Sequence, residues 1–348
     1  MKKSLLALAV LGAFAGVASA QTNVTIYGRV DVSIANENRG GDSVNRLDGG
    51  STGTANQSGS RLGFKGKEDL GGGLSANFVL ESGFSPDTGE LGQGGLLFGR
   101  QAFVGLAGGF GAINFGRQLS PLYLAVDAID PFGVGMAGNA TRLFANFTAS
   151  PVTTASGVVT SAKSPDRTNN TINYSTPAMG GFSGQLAYTL GEVAGSNSGS
   201  RQIGFSVGYA NGPIAAVLAY HNANNPAATN STKSTLLGGT YDFGVAKAHL
   251  GFAVNKDDVK LDTRDILIGA TVPFGPSTLL VDYIRKQDRF FSNANANQVA
   301  LGYIYEMSKR TNLYTSYSRT SNDGAVRYNS DVAGANGRIF NVGLRHKF

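Results

Sequence analysis

Hydrophobic and polar positions alternate with a period of two along most of this chain. The last segment shows this clearly, because one parity carries Phe340, Val342, Leu344, His346 and Phe348 while the other is mostly polar. Similar alternation recurs around residues 24–32, 75–81, 202–209 and 299–305. Successive side chains of a strand point to opposite faces, so the pattern predicts β-strands with one apolar and one polar face.

The connections between these segments fall into two classes of length. Seven are short turns, at residues 68–73, 108–111, 176–181, 211–213, 242–244, 273–277 and 307–310. Eight are longer polar stretches, at residues 36–59, 85–96, 118–166, 191–200, 222–233, 257–262, 287–296 and 320–337. Fifteen connections join sixteen strands, and short turns on one side with long loops on the other are typical of bacterial outer-membrane barrels.

The sequence therefore predicts an all-β protein, a 16-stranded antiparallel transmembrane β-barrel. A secreted β-sandwich or β-solenoid would explain the alternation but not the difference in loop length. A solenoid would also show a fixed repeat, and none is visible.

The first twenty residues have the features of a secretory signal peptide. Basic Lys2 and Lys3 precede an apolar stretch over residues 5–17 and a small-residue site at residues 18–20. We expect residues 1–20 to be cleaved and residues 21–348 to form the barrel in the cell outer membrane. A membrane anchor would need about 20 apolar residues and a stop-transfer flank, which this segment lacks.

Composition narrows the class of protein further. The chain has 29 basic and 23 acidic residues, and without Lys2 and Lys3 the balance is 27 against 23. This excess is small and dispersed, so no nucleic-acid partner is expected. There is no cysteine, so stability depends on the sheet rather than on disulfides. No later segment has an apolar run long enough for a spanning helix, which leaves a closed barrel as the way to cross a membrane.

Strand parity assigns several charged side chains to the interior of the barrel. Apolar neighbours on the opposite face place Arg61 and Lys65 inside on one strand, and Glu81 inside on the next. The same argument directs Arg29 inward, and Arg167 together with Asn169, which shares its parity.

Parity does not place two further arginines inside the barrel. Arg117 shares its parity with Ile113 and Phe115, so we expect it outside the pore, with a role at a subunit interface to be considered. Parity leaves Arg100 open, because the residues on its own parity, at positions 102, 104 and 106, are apolar.

Several segments closely resemble the general trimeric porins of β-proteobacteria. They are residues 60–73, 98–106, 115–118 and 308–314, and the closing Arg345-His346-Lys347-Phe348. The resemblance covers the whole mature chain and is densest before residue 120. It implies a homotrimer of water-filled channels for small hydrophilic solutes, narrowed by an inward-folded third loop. It also implies that Arg61, Arg100 and Arg167 cluster at the constriction, and that Phe348 is a signal to the outer-membrane assembly machinery.

The inward loop is expected at about residues 118–166. Its first half, residues 121–133, is too apolar for a solvated loop and carries only Asp127 and Asp130 as charges. The apolar residues are expected to pack on the inner wall while Asp127 or Asp130 faces the arginines, although either could simply cap a turn. Several arginines at one narrowing would attract anions, because guanidinium groups stay charged at any working pH.

Other functions find less support in the sequence. His221, His249 and His346 lie on different strands without motif company, so no catalytic residue is expected, and no metal-binding or cofactor motif appears. A sugar- or organic-acid-specific porin remains an alternative, although no tryptophan is present to line a sugar path. A non-conducting adhesin or structural barrel is the other alternative. The expected partners are outer-membrane lipid and lipopolysaccharide, the assembly machinery, and small solutes and anions.

Overall fold

The structure is a computed structural model that describes residues 23–49, 55–149, 151–154, 157–160 and 163–348. The predicted signal peptide lies outside these residues. The described strands are β1 (Asn23–Arg39), β2 (Ser43–Asp48), β3 (Arg61–Gly71), β4 (Leu74–Gly83), β5 (Gln101–Gly108), β6 (Gly111–Leu119), β7 (Pro151–Thr154), β8 (Gly157–Thr160), β9 (Arg167–Ser175), β10 (Phe182–Thr189), β11 (Gln202–Asn211), β12 (Ile214–Asn224), β13 (Ser231–Asp242), β14 (Lys247–Lys256), β15 (Asp262–Phe274), β16 (Ser277–Asp288), β17 (Ala296–Glu306), β18 (Thr311–Asn322) and β19 (Gly337–Lys347). The helices are α1 (Gly92–Gly95) and α2 (Pro121–Ile129), with a 3-10 turn at Ala140–Arg142.

Within the described residues, sixteen strands form one closed antiparallel barrel, which confirms the predicted fold. β19 returns to pair with β1, and β1 pairs in turn with β3. At this seam the N–H of Phe348 donates to the carbonyl of Gly28 at 3.1 Å, and the N–H of Gly28 donates back to Phe348 at 3.2 Å. Closure gives each strand two partners, so the backbone can cross a membrane without an exposed sheet edge.

The two classes of connection appear where the sequence predicts them. All seven short turns join neighbouring barrel strands at the end that carries Phe348. The first long connection contains a strand that the alternation did not reveal, because β2 pairs with the upper half of β1 over residues 33–38. A second hairpin, β7 with β8, lies inside the third loop.

Alternation separates an apolar outer surface from a mixed inner one. On β19 the side chains of Phe340, Val342 and Leu344 are exposed on the outside, while Asn341 and Arg345 are buried inside. The outer face matches the apolar band that a transmembrane barrel presents to lipid. Among the described residues, no helix is long and apolar enough to cross a membrane.

The third loop, between β6 and β9, folds into the barrel. Ser120 caps α2 by accepting a hydrogen bond from the N–H of Tyr123, and Pro121 occupies the first turn, where a missing N–H costs nothing. Leu122, Val126 and Ile129 form the buried face of this helix. They pack on an apolar wall that takes one residue from each of five consecutive strands, β12 to β16: Ala219, Leu236, Ala253, Leu267 and Ile284.

Two glycines let α2 approach this apolar wall. A Cβ atom at Gly238 would lie 2.6 Å from Cδ1 of Ile129, and one at Gly251 would lie 2.8 Å from the same atom. Contacts this short force a neighbour to move, so larger side chains here would push the helix into the channel.

Polar contacts fix the loop at further points. The Lys286 ammonium and Asp265 carboxylate lie 2.7 Å apart and are almost fully buried, and Asp265 also accepts the N–H of Ala145 at 2.9 Å. The Nδ1–H of His249 donates to the carbonyl of Ile129 at 3.0 Å. The loop is therefore held along the barrel wall by an apolar contact and by buried hydrogen bonds together.

Candidate functional site

The arginine cluster is organised around a single buried carboxylate. Glu81 on β4 lies inside the barrel, with one oxygen 2.7 Å from Nε of Arg100 and 3.7 Å from Nη1 of Arg61. The hydroxyl of Tyr27 donates to its other oxygen at 3.0 Å. Glu81 thus holds the arginines in place. It is not itself among the residues that line the cavity between the barrel wall and the third loop, which is called the passage below.

Arg100 lies inside the barrel, which parity alone could not decide. It precedes β5 by one residue, so the alternation of Ala102, Val104 and Leu106 does not control its direction. The ion pair with Glu81 turns its guanidinium inward. Its carbonyl accepts the Nε–H of Arg167 at 2.9 Å, which links the two arginines directly.

Arg167 also lines the passage, although β9 does not alternate regularly beside it. Its guanidinium carbon is 5.8 Å from the centre of the Tyr123 ring on α2, and its Nη1 is 2.7 Å from Asp166. A register shift against β6 and a positive φ of 50° at Asn170 interrupt the strand. The expected inward direction of Asn169 is therefore wrong, since its side chain accepts a hydrogen bond from Arg117.

Arg29 and Lys65 occupy the inner face as well. Arg29 lies opposite Arg61 in the β1–β3 register and lines the passage. Lys65 is exposed, with its ammonium 5.4 Å from the centre of the Tyr27 ring, and it is not among the residues that line the passage. Like charges opposite each other are unfavourable, so Glu81 also offsets the repulsion between the arginines.

The two aspartates of the loop have different places. Asp127 lies on the exposed face of α2 and lines the passage with Arg61. Asp130 is buried, and its carboxylate accepts the N–H groups of Phe132, Val134 and Ala140, each at 2.9 Å. Asp130 therefore caps the turn after α2 and does not face the arginines, which corrects its proposed place at the constriction.

Burial raises the pKa of both carboxyl groups, but different neighbours oppose the rise in each. It raises the pKa of Asp130 to about 7, and the three N–H donors oppose the rise. Burial also raises the pKa of Asp127, where the positive charge of Arg61 acts in the opposite direction. Asp127 is thus the carboxylate of α2 that can interact with a solute in the passage.

Two basic residues on the loop side of the passage were not predicted from the sequence. Arg142, in the 3-10 turn, and Lys163 line the same cavity of about 440 Å³ as the arginines of the wall. The passage therefore combines six basic residues (Arg29, Arg61, Arg100, Arg142, Lys163 and Arg167) with Asp127, Asp166 and the underlying Glu81. Basic groups therefore lie on both sides of the passage, whereas the sequence predicted arginines on the barrel wall facing an aspartate on the loop.

The remaining predicted residues lie away from this passage. Arg117 is on the outer parity of β6 with Phe115, and its Nε donates to the carbonyl of Gly99 at 2.7 Å. His221 contacts Gln202, and His346 contacts Thr311 near the rim. In the part of the chain that the structure describes, no three His, Asp or Glu side chains are placed to hold a metal ion.

Comparison with known proteins agrees with this geometry. A family profile for Gram-negative porins matches residues 7–325. Outer membrane porin protein 32 of Delftia acidovorans is 36% identical, and an outer membrane porin protein of Bordetella pertussis is 32% identical, each over the full length of both chains. The solved anion-selective porin from Comamonas acidovorans is 30% identical, with a TM-score of 0.76 over 94% of this chain and 100% of that one.

More distant solved porins show the same fold. Salmonella typhi OmpF aligns over 93% of this chain and 97% of that chain with a TM-score of 0.68 at 17% identity. With an alternating closed barrel, an inward third loop and relatives matched over their full length, this chain belongs to the Gram-negative porin family and is an outer-membrane channel.

Proposed function

We propose that the channel is an anion-preferring pore for passive diffusion of small hydrophilic solutes and ions, without catalytic activity. The observation that carries this is the excess of basic over acidic side chains around the passage, six against three. A narrow aqueous passage with a net positive wall concentrates anions and repels cations. The similar porin from Comamonas acidovorans is itself described as anion-selective.

The arginines suit this role because they are held in place before an ion arrives. Arg100 and Arg61 share Glu81, and Arg167 lies between the carbonyl of Arg100 and the ring of Tyr123. Fixed charges need no rearrangement to act on a passing solute. A permeating anion would therefore meet several guanidinium groups that are already fixed in position.

The reversal potential in a salt gradient tests the proposal. Changing Arg61 and Arg167 together to Gln removes two positive charges with little change in volume, so selectivity should move toward cations. The shift should shrink as salt rises, because the screening length falls from about 10 Å at 0.1 M to about 3 Å at 1 M.

Arg117→Gln is the control for location, because it removes an arginine from the outer face of β6 and not from the passage. It should leave the reversal potential unchanged. Unaltered selectivity in the Arg61/Arg167 double variant, or an equal shift in Arg117→Gln, would overturn the assignment of the charges.

We propose in addition that the channel works as a homotrimer in contact with outer-membrane lipid and lipopolysaccharide. The outer face of β5 and β6, with Val104 and Phe115 exposed beside Arg117, is a suitable subunit contact. Phe348 at the seam is proposed as the signal to the assembly machinery. Heating in detergent should convert a multi-subunit species into monomers that migrate differently in a gel, which tests the trimer. Deletion of Phe348 should leave the protein accumulating in the periplasm, which tests the signal.

A further inference from the structure

Four arginines form a row on the outer surface of the barrel, at the end that carries the long loops. They are Arg264 on β15, Arg285 on β16, Arg319 on β18 and Arg338 on β19, and are called here the outer arginine row. All four are exposed, and each has the parity of the apolar outward side chains of its strand. They are therefore outside the channel and take no part in the constriction.

The outer arginine row marks the upper edge of the apolar surface. The next outward residue on each strand, toward the short-turn end, is apolar or aromatic and exposed: Ile266, Tyr283, Tyr317 and Phe340. Exposed apolar residues such as Ile268, Val281 and Leu301 continue the surface below. Aromatic residues and cationic side chains at such an edge are typical of the level where hydrocarbon gives way to headgroups.

The arginines of this row have no acidic partner among the described residues. Arg319 lies directly opposite Arg338 in the β18–β19 register, an unfavourable arrangement for two like charges. No ion pair joins any of the four to a carboxylate in the described part of the chain. The neighbouring outward lysines differ, because Lys233 pairs with Asp258 at 3.0 Å and Lys256 pairs with Asp262 at 3.5 Å.

We propose that the outer arginine row binds the phosphate groups of lipid A, the anchor of lipopolysaccharide in the outer leaflet. Guanidinium groups donate paired hydrogen bonds to phosphate oxygens, and a phosphate between Arg319 and Arg338 converts their repulsion into two attractions. The apolar residues below the row contact the acyl chains. Adjacent strands are about 4.8 Å apart, so one headgroup can reach arginines from neighbouring strands. The inference deepens the proposed lipid contact and depends on the outer-membrane location, not on ion selectivity.

Native mass spectrometry of the delipidated, folded protein titrated with bisphosphorylated lipid A tests this inference. Arg319 and Arg338 changed together to Gln should weaken binding by roughly tenfold or more, since charge-assisted hydrogen bonds are lost. Lys233 and Lys256 changed together to Gln form the matched control, with an equal loss of charge at the same rim. This control should bind lipid A almost as the unchanged protein does.

A second probe separates phosphate recognition from general contact with lipid. Lipid A from which both phosphates have been removed should bind the unchanged protein and the Arg319/Arg338 variant alike. Equal binding of phosphorylated lipid A by all variants, or an equal loss in the lysine control, would overturn the proposal. Both double variants should retain the conductance and reversal potential of the unchanged channel, so a failure here is distinguishable from a failure of the proposed anion preference.

Discussion

Two walls of the same barrel present inner faces of opposite character. The wall around β1, β3 and β9 carries Arg29, Arg61 and Arg167 toward the channel. The apolar wall, formed by one aliphatic residue from each of β12 to β16, packs against α2 and is covered by the third loop. An inward position therefore does not mean contact with water. The loop divides the interior into a dry contact on one side and a charged passage on the other.

The loop repeats this division within α2 and the turn that follows it. Asp127, on the exposed side, faces the passage, while Asp130, three residues later, is buried and bonded to the loop backbone. The docked loop thus places one carboxylate where it can meet solutes and uses the other to hold its own shape. Substitutions on the two sides of α2 should separate these two roles.

The largest change in single-channel conductance should come from disrupting the contact between α2 and the apolar wall. Val126→Asp buries an unpaired carboxylate against the apolar wall, at a cost of about 3 kcal/mol or more to loop docking. The loop should leave the wall, so single-channel conductance should become larger or unstable while the barrel keeps its heat resistance. Ala128→Asp adds the same charge on the exposed side of α2 and should leave conductance steady. A loop that stays docked in Val126→Asp would show that the apolar contact does not hold it.

A smaller change in single-channel conductance should distinguish the two aspartates. Asp130→Ala leaves three N–H groups without their acceptor, which should cost about 1–3 kcal/mol for each that stays buried and unpaired. Conductance should therefore fluctuate. Asp127→Asn should leave conductance steady and increase anion preference, measured as reversal potential. Identical behaviour of the two variants would mean that Asp127 and Asp130 do not have different roles.

Glu81→Gln should loosen the charged wall. The change removes a negative charge that contacts two arginines, at a cost of about 1.5–3 kcal/mol in charge-assisted hydrogen bonding. Urea denaturation of the folded protein would measure the loss of stability. Glu68→Gln, on an exposed part of β3, provides a comparison that should change stability by less than about 0.5 kcal/mol.

The smallest shift should come from the loop side of the passage. Arg142 and Lys163 changed together to Gln should move the reversal potential toward cations, by less than the Arg61/Arg167 double variant does. Among the described residues, no ion pair fixes Arg142 or Lys163 as Glu81 fixes Arg61 and Arg100, so we expect their charges to act less strongly on a passing ion. A larger shift than that of Arg61/Arg167 would mean that the loop, and not the wall, sets selectivity.

The sequence by itself determined the barrel and much of its charged wall. Alternation is local, because each side chain of a strand points opposite to its neighbours, so Arg29, Arg61 and Glu81 could be placed by counting from apolar residues. The helix α2 also had a readable signal that was missed, with Ser120 and Pro121 at its start and apolar residues at positions 122, 125, 126 and 129.

Only the tertiary structure decided the rest of the site. Arg100 lies outside regular strand, and its direction depends on an ion pair with Glu81, which is 19 residues earlier on a different strand. The side chain of Asn169 does not follow the alternation of its strand, because the pairing of β9 with β6 is irregular there. The loop residues of the passage and the buried Asp130 take their places from how the third loop docks, and docking depends on aliphatic residues from five separate strands. Local periodicity carries no information about such long-range contacts, because they exist only once the barrel has closed.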